Sequence, residues 1–181
     1  MPYRVCFVCT GNICRSPMAE SVFRARVAEA GLDGLVEVDS AGTGGWHEGD
    51  GADPRTVSVL EANGYDCDHT ARQFRASWFA RLDLVIALDT GHLEALRRLA
   101  PTSAEAEKVR LLRSYSRPSP EHHPSRSASH APSDESAGHD LDVPDPYYGG
   151  MDGFEECLEM VEAASVGLLA AVQEQVEGRA A

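Results

Sequence analysis

Short apolar runs alternate along the chain with stretches in which apolar residues recur at helical spacing. The first run, Tyr3–Cys9, is rich in Val, Phe and Cys and stops before Gly11-Asn12, which predicts a buried strand that enters a turn. Ser16-Pro17 then opens a predicted helix that ends at Gly31. The same alternation predicts strands at 35–40, 83–88 and 109–112, and helices at 53–64, 90–99 and about 153–175.

Strands that alternate with helices predict an α/β fold of three layers. We expect a four-stranded parallel sheet flanked by helices on both faces, doubly wound and Rossmann-like, with ligands beyond the carboxyl ends of the strands. Cys9 falls at such an end. The last predicted helix carries one apolar face, which we expect to pack across the sheet. That face consists of Phe154, Leu158, Val161, Ser165 and Leu168-Leu169.

A polar segment at about 114–139 interrupts the alternation. It holds eight Ser, four Pro and four His, and its composition predicts a solvated loop inserted in a single domain that spans 1–181. A metal site in this segment is an alternative, but the spacing of the candidate ligands fits no regular template, and we expect no metal. Those candidates are His122, His123, His130 and His139, with Asp140 and Asp142.

Composition narrows the class of partner. The 181 residues are 43% apolar, enough for one conventional core, and carry a net charge of -13. Such a surface repels nucleic acid and anionic lipid, so we expect neither as a partner. No apolar stretch is long enough for a membrane span or a secretory signal, which favours a cytoplasmic protein. Five cysteines are an odd and sparse set, typical of free thiols in a reducing compartment.

The residues from Cys9 to Ser16 combine a thiol with a guanidinium six positions later, at a predicted junction of strand and helix. Backbone N–H groups of such a loop, with the positive end of the following helix, bind an anion without metal or cofactor. Arg15 then binds two phosphate oxygens at once. The same field favours the thiolate form of a cysteine, the nucleophilic one. The pattern predicts phosphate-ester cleavage through a phosphocysteine intermediate.

The segment VCTGNICRSP, residues 8–17, closely resembles the signature of the low-molecular-weight protein tyrosine phosphatases, near the N-terminus as in that family. The resemblance continues, in the family's order, through 39–43, 69–72, 87–89 and 145–148, and leaves out 114–139. It implies the Rossmann-like phosphotyrosine phosphatase I fold. It also implies a phosphotyrosine-containing protein as substrate, with inorganic phosphate as product and inhibitor.

The resemblance assigns roles to individual residues. Cys9 is the nucleophile, Arg15 binds phosphate, and Asp145 is the general acid, although Asp-Pro is also a common turn opener. The phosphate-binding loop comprises Thr10, Gly11, Asn12, Ile13, Cys14, Arg15 and Ser16. Loop support is expected from Asn12, Ser16, Ser40 and His69, and the pocket wall from Ile13, Trp46, Tyr147 and Tyr148. Ser16 matches the hydroxyl that donates to the thiolate and could also be the N-cap of the helix, since the two roles are compatible. Asp89 could be only a helix N-cap or could support Arg15 as its counterpart does in the family, and it is not counted among the catalytic residues.

Three other functions are weighed against this one. Related arginine phosphatases carry Thr where this chain has Ile13, and an apolar residue favours a phenyl ring. An arsenate reductase of the same fold needs two further cysteines close together, whereas Cys67 and Cys157 are isolated. A binding module that captures phosphotyrosine without turnover would lack the nucleophile or the acid, and both are present.

A disulfide between Cys9 and Cys14 that protects the nucleophile stays an open alternative to a plain buried thiol.

Overall fold

The computed structural model describes residues 1–116 and 141–180. Within them, four strands form one parallel sheet in the order β2-β1-β3-β4, which confirms the predicted α/β class. The strands are β1 Tyr3–Cys9, β2 Val36–Gly42, β3 Leu84–Ala87 and β4 Val109–Leu111. The apolar runs were short and buried on both faces, as strands of a parallel sheet are.

Helices cover both faces of the sheet, which confirms the three-layer, doubly wound architecture. Helices α1, α2 and α5 pack on one face, and α3 packs against β3 and β4 on the other. The α-helices are α1 Arg15–Glu29, α2 Pro54–Ala62, α3 Thr90–Leu99, α4 Ser103–Ala106 and α5 Met151–Ala180. Two 3-10 helices, Ala76–Ala80 and Leu112–Ser116, complete the described elements.

Strand β1 divides its side chains between two cores because successive residues point to opposite faces. Val5 and Phe7 join the core under α1, α2 and α5, where Phe7 meets Phe23 edge to face at 5.6 Å. Cys6 and Val8 join the core under α3. All four of these strand side chains are fully buried, so β1 is the centre of the molecule.

Several boundaries differ from the predictions. Helix α1 begins at Arg15, ahead of the predicted Ser16-Pro17 start, and Pro17 lies in the first turn, where N–H groups have no partner within the helix. Strand β2 runs two residues beyond the predicted end at 40 because it pairs with β1 as far as Cys9↔Gly42. Helix α5 extends past both predicted ends, and α4 and both 3-10 helices were not predicted.

The prediction of a solvated loop is wrong for residues 114–116. Residues 114–116 belong to the 3-10 helix Leu112–Ser116, whose Tyr115 packs against the core beside α5. Gly167 makes this approach possible, because a Cβ there would lie 2.0 Å from the Tyr115 carbonyl oxygen. The rest of the predicted loop and the histidine cluster lie outside the described residues. Asp142 is described, and it accepts hydrogen bonds from Thr90 N and Oγ1 at 2.8 and 2.7 Å.

The topology places one end of β1 at a natural binding position. The chain leaves β1 for β2 on one side and returns for β3 on the other, so the strand order reverses beside Cys9. Ligands of open α/β sheets bind at such a switch point. Among the helices in the described ranges, none is long and apolar enough to cross a membrane.

Candidate active site

The loop that joins β1 to α1 turns its carbonyl groups outward. Each of four carbonyls accepts a hydrogen bond from a segment outside the loop, so the loop's own N–H groups face its interior. Such a concave array of N–H groups, backed by the start of α1, is suited to an anion. The bonds are Thr43 N to Cys9 O (2.8 Å), Gly44 N to Thr10 O (3.0 Å), His69 Nε2 to Asn12 O (2.6 Å) and Asp53 N to Ile13 O (2.8 Å).

Asn12 holds the loop from within. Its backbone is left-handed, with a φ of 58°, a conformation that Asn tolerates better than most residues. Its fully buried side chain donates from Nδ2 to Ser16 Oγ at 2.8 Å and to Ser40 Oγ at 3.0 Å. Its Oδ1 accepts from Arg72 N at 3.0 Å. The amide of Asn12 therefore joins three segments of the chain, the loop that continues into α1, strand β2 and the segment of Arg72, and the structure brings together the residues expected to support the loop.

Cys9 lies at the first turn of α1, with its Sγ 2.9 Å from Ser16 Oγ and 3.4 Å from Ser16 N. Ser16 Oγ accepts from Asn12, and its own proton has two acceptors within reach, Cys9 Sγ and the Ala41 carbonyl oxygen at 3.3 Å. A thiolate can only accept and is the nearer of the two, so it receives the hydroxyl proton. The alternative that Ser16 caps α1 is wrong, since the N-cap is Cys14 and it makes no side-chain capping bond. The positive end of α1 and one hydroxyl thus stabilise negative charge on Sγ.

Arg15 is almost wholly buried, with 4% of its side chain exposed. Its Nη1 donates to Asp89 Oδ2 at 2.8 Å and to Val143 O at 2.9 Å, and its Nη2 lies 3.7 Å from Asp145 Oδ2. Burial alone would lower the pKa of Arg15, but the charges of Cys9 and of the two carboxylates raise it, so the guanidinium stays charged. Two bonds fix its direction before any ligand binds.

Asp89 has both of the roles considered for it. Its Oδ1 accepts from His92 N at 2.8 Å as the N-cap of α3, while Oδ2 accepts from Arg15. Burial raises the pKa of Asp89, but the His92 N–H and the Arg15 guanidinium outweigh burial and lower it. The carboxylate therefore remains charged and keeps Arg15 in place.

The loop forms the floor of a cavity of about 310 Å³ with an aromatic rim. Tyr147 and Tyr148 meet edge to face with ring centroids 4.9 Å apart, and Trp46 packs directly over Gly44, where a Cβ would lie 1.8 Å from the indole ring. Asn12 and Ser16, two of the residues expected to bind phosphate, are fully buried and do not line the cavity. The walls are Cys9, Thr10, Gly11, Ile13, Cys14, Arg15, Trp46, His47, Asp145, Tyr147 and Tyr148.

Asp145 reaches the cavity from the segment before α5. About 45% of its side chain is exposed, and its Oδ1 accepts from Tyr147 N at 3.1 Å, so the turn role also holds. Its Oδ2 faces the Arg15 guanidinium across the opening.

Sequence reasoning missed His47 and His92. His47 follows Trp46 and lines the cavity, and that adjacency was the available signal. His92 Nε2 lies 2.8 Å from Thr10 Oγ1, and no sequence signal joins residues 82 positions apart. Burial lowers the pKa of His92 to about 4, against the counteracting charge of Asp89, so the ring is neutral near pH 7.

All five cysteines are free thiols in the structure. Burial, with the nearby charges of Asp53 and Cys9, raises the pKa of Cys14 to about 12. Burial also raises the pKa of Cys157, in the core beside α5, to about 12, and that of the half-buried Cys67. Cys14, Cys67 and Cys157 are therefore poor nucleophiles in this conformation.

Comparison with known proteins gives consistent matches. The family model for low molecular weight phosphotyrosine protein phosphatase matches residues 4–125 and 131–178, further into the polar segment than the sequence motifs had indicated. A low molecular weight protein-tyrosine-phosphatase of Streptomyces coelicolor is 72% identical over 181 residues, all of both chains. Low molecular weight protein-tyrosine phosphatase A of Mycobacterium tuberculosis is 46% identical over 167 residues, 92% of this chain and 90% of that one.

Solved structures agree with the sequence matches. The crystal structure of a protein tyrosine phosphatase from Entamoeba histolytica, with Hepes in its active site, superposes with a TM-score of 0.81. It is 30% identical in sequence, and the superposition covers 96% of this chain and 98% of that one.

Proposed function

The chain belongs to the low-molecular-weight protein tyrosine phosphatase family, and we propose that it hydrolyses phosphotyrosine in proteins through a covalent phosphocysteine at Cys9. The observation that carries this proposal is the meeting of Cys9, Arg15 and Asp145 on the wall of one cavity. Cys9 and Arg15 lie at the two ends of one loop between β1 and α1, and the fold brings Asp145 to them from the segment before α5.

In the first step, the phosphate dianion rests on the loop N–H groups and on Arg15, and Cys9 Sγ attacks phosphorus from below. The S–P bond forms as the bond from phosphorus to the phenolic oxygen breaks. Asp145, in its protonated form, gives its proton to the departing oxygen, a contribution of typically about 10² to 10⁴ in rate. Donors fixed before substrate arrives stabilise the charge on the transferring oxygens.

In the second step, water attacks phosphorus and gives a proton to the Asp145 carboxylate while the S–P bond breaks. The sulfur leaves as a thiolate, which accepts the hydrogen bond from Ser16 Oγ. Inorganic phosphate is released from the same phosphate-binding loop that bound the ester, so it competes with the substrate and acts as an inhibitor. Neither step calls for a metal or a cofactor.

The cavity supports an aryl ester as the substrate. Trp46, Tyr147 and Tyr148 stand around the opening, and an aromatic ring between them gains stacking contacts of about 0.5–1.5 kcal/mol each. Ile13 adds an apolar floor where a phosphoarginine enzyme would place a hydroxyl. The shorter phosphoserine side chain would leave these aromatic walls unused.

The test is phosphate release from phosphotyrosine, phosphoserine and phosphoarginine peptides in EDTA by wild type, Cys9→Ser and Asp145→Ala. We expect turnover of phosphotyrosine alone, none by Cys9→Ser, and a rate lower by orders of magnitude for Asp145→Ala. Tight binding of phosphotyrosine by wild type without release would identify a binding module. Reduction of arsenate would identify the other activity known for this fold.

We further propose that residues 1–181 form one domain that acts in the cytoplasm. Five free thiols suit a reducing compartment. Urea denaturation of the full chain is expected to show a single cooperative transition, and fractionation is expected to place the protein in the cytoplasm. Two separate transitions, or recovery outside the cytoplasm, would contradict these two points.

A further inference from the structure

Arg55 on α2 joins the two loops that form the active site. Its Nη1 donates to Gly149 O at 3.2 Å, and its guanidinium lies over the rings of Tyr147, 5.5 Å from the centroid, and Phe154, at 4.5 Å. These three residues follow Asp145 in the chain. A planar guanidinium suits such a position because it donates in its plane and stacks with its face.

The opposite side of Arg55 is anchored to the phosphate loop. Its Nε and Nη2 donate to the two oxygens of Asp53 at 3.0 and 2.9 Å, and Asp53 Oδ1 also accepts from Arg55 N at 2.9 Å. Asp53 is itself buried, and its N–H donates to Ile13 O at 2.8 Å. A continuous chain of hydrogen bonds therefore runs from Ile13 through Asp53 and Arg55 to Gly149.

The segment that carries Asp145 is fixed at two points. Upstream, Val143 N donates to Leu88 O at 2.8 Å and Val143 O accepts from Arg15 at 2.9 Å. Downstream, the contacts of Arg55 with Gly149 and Tyr147 hold it. Without Arg55, the backbone around Asp145 keeps its anchor at Val143 and its connection to α5, which begins at Met151, but loses the contacts that link it to α2 and the phosphate loop.

We infer that Arg55 is a positioning residue, which holds the Asp145 loop in register with the phosphate loop so that the acid meets the leaving oxygen. The inference rests on the proposed function, since it concerns the proton that Asp145 delivers. Displacements of about 1 Å at a reacting group reduce rates by up to about 10²-fold, so a single anchor is sufficient to matter.

The test compares two substrates that differ in their need for an acid. Phenyl phosphate releases a basic phenolate that requires a proton, whereas 2,4-dinitrophenyl phosphate releases an anion that is stable without one. We expect Arg55→Ala to lower kcat/KM about tenfold for phenyl phosphate, which is part of the about 10² to 10⁴ that general acid catalysis contributes, and less than about twofold for the dinitrophenyl ester. Arg55→Lys keeps the charge but loses the paired hydrogen bonds to Asp53 and the stacking on the aromatic rings. We expect it to lower kcat/KM by an intermediate factor, again for phenyl phosphate and not for the dinitrophenyl ester.

Arg26→Ala is the matched control. Arg26 also lies over a tyrosine ring, 5.6 Å from the centroid of Tyr65, donates to the hydroxyl of Tyr65 and pairs with Glu29. This arginine joins α1 to its surroundings away from the cavity. We expect a comparable decrease in the thermal unfolding midpoint and an unchanged ratio of the two kcat/KM values. Arg55→Lys carries the test if Arg55→Ala does not fold.

Asp145→Asn distinguishes the positioning role of Arg55 from the general-acid role of Asp145 on which it rests. We expect this variant to have a lower kcat/KM on phenyl phosphate but not on the dinitrophenyl ester, because kcat/KM reports the first step, in which only the phenolate needs a proton. The addition of Arg55→Ala should then produce no further selective loss in kcat/KM. Equal losses on both substrates for Arg55→Ala, or a selective loss that persists without Asp145, would overturn the positioning role only. An Asp145→Asn variant that treats both substrates alike would overturn the acid assignment and this inference together.

Discussion

Replacement of Asn12 tests whether the loop depends on this side chain or only on its backbone conformation. Asn12→Ala removes three hydrogen bonds, which at about 1 kcal/mol each sum to about 3 kcal/mol. Alanine also resists the left-handed conformation at φ 58° by about 1 kcal/mol. We therefore expect a loss of about 4 kcal/mol in the free energy of unfolding for Asn12→Ala and about 3 kcal/mol for Asn12→Gly, where the strain is absent.

Urea denaturation of the three proteins measures these differences, and steady-state kinetics on a phosphotyrosine peptide accompanies it. We expect both variants to lose activity, because Ser16 and the loop N–H groups lose their common support. If Asn12→Gly matches wild type in stability and rate, the hydrogen bonds contribute nothing and the reasoning is refuted. If the two variants are equally unstable, the backbone strain is absent.

Three further changes give separate tests. Folded His92 stays neutral to about pH 4, whereas His92 in the unfolded chain is protonated near its ordinary pKa, so the free energy of unfolding falls as the pH drops from about 6.5 towards 4. Urea denaturation at several pH values should give a shallower slope of unfolding free energy against pH for His92→Gln than for wild type. An equal slope would contradict this. Gly167→Ala should destabilise despite the helix propensity of alanine, because its Cβ meets Tyr115 O; a higher urea midpoint would contradict this. Ser16→Ala should lower kcat more than kcat/KM, because the Cys9 thiolate leaves phosphorus less readily in the second step. Rapid mixing should then show a burst of released phenol before steady-state turnover. Equal decreases in kcat and kcat/KM would place Ser16 outside the second step.

The fold could be predicted from the sequence because its signals are local. Apolar runs predicted the four strands, and the spacing from Phe154 to Leu168 predicted the buried face of α5. That face packs mainly against α1 and the 3-10 helix Leu112–Ser116, with less direct contact with the sheet than expected. The elements that were missed have no such local signal. Tyr115 is a lone aromatic among polar residues, and only α5, about fifty positions later, shows that it packs.

The candidate site also has one part that the sequence predicted and one part that it did not. Cys9 and Arg15 lie in one contiguous loop whose chemistry is legible in eight residues. Asp89 and His92 are 74 and 82 positions from their partners Arg15 and Thr10, and no spacing predicts those contacts. A hydrogen bond between distant segments depends on how the sheet and helices stack, which periodicity alone does not specify.

The sequence did not predict the hydrogen bonds through Arg55 for a different reason. In the sequence, Asp53-Pro54-Arg55 is only a helix start, with Asp as the cap and Pro in the first turn. The fold gives the same residues a further role, since the cap aspartate also meets the phosphate loop. A residue that satisfies a local rule offers no sign that it has a second function.

The central claim is the covalent phosphocysteine at Cys9, and trapping it is the most direct measurement. Asp145→Asn, mixed with 2,4-dinitrophenyl phosphate, should form the intermediate readily but hydrolyse it slowly, because water lacks its base. Acid quenching within the first turnover, followed by proteolysis and mass spectrometry, is predicted to show one phosphate on the peptide that contains Cys9, and none when Cys9→Ser is added. Phosphate on another side chain, or dinitrophenol released in a first turnover with no phosphorylated peptide, would contradict the account.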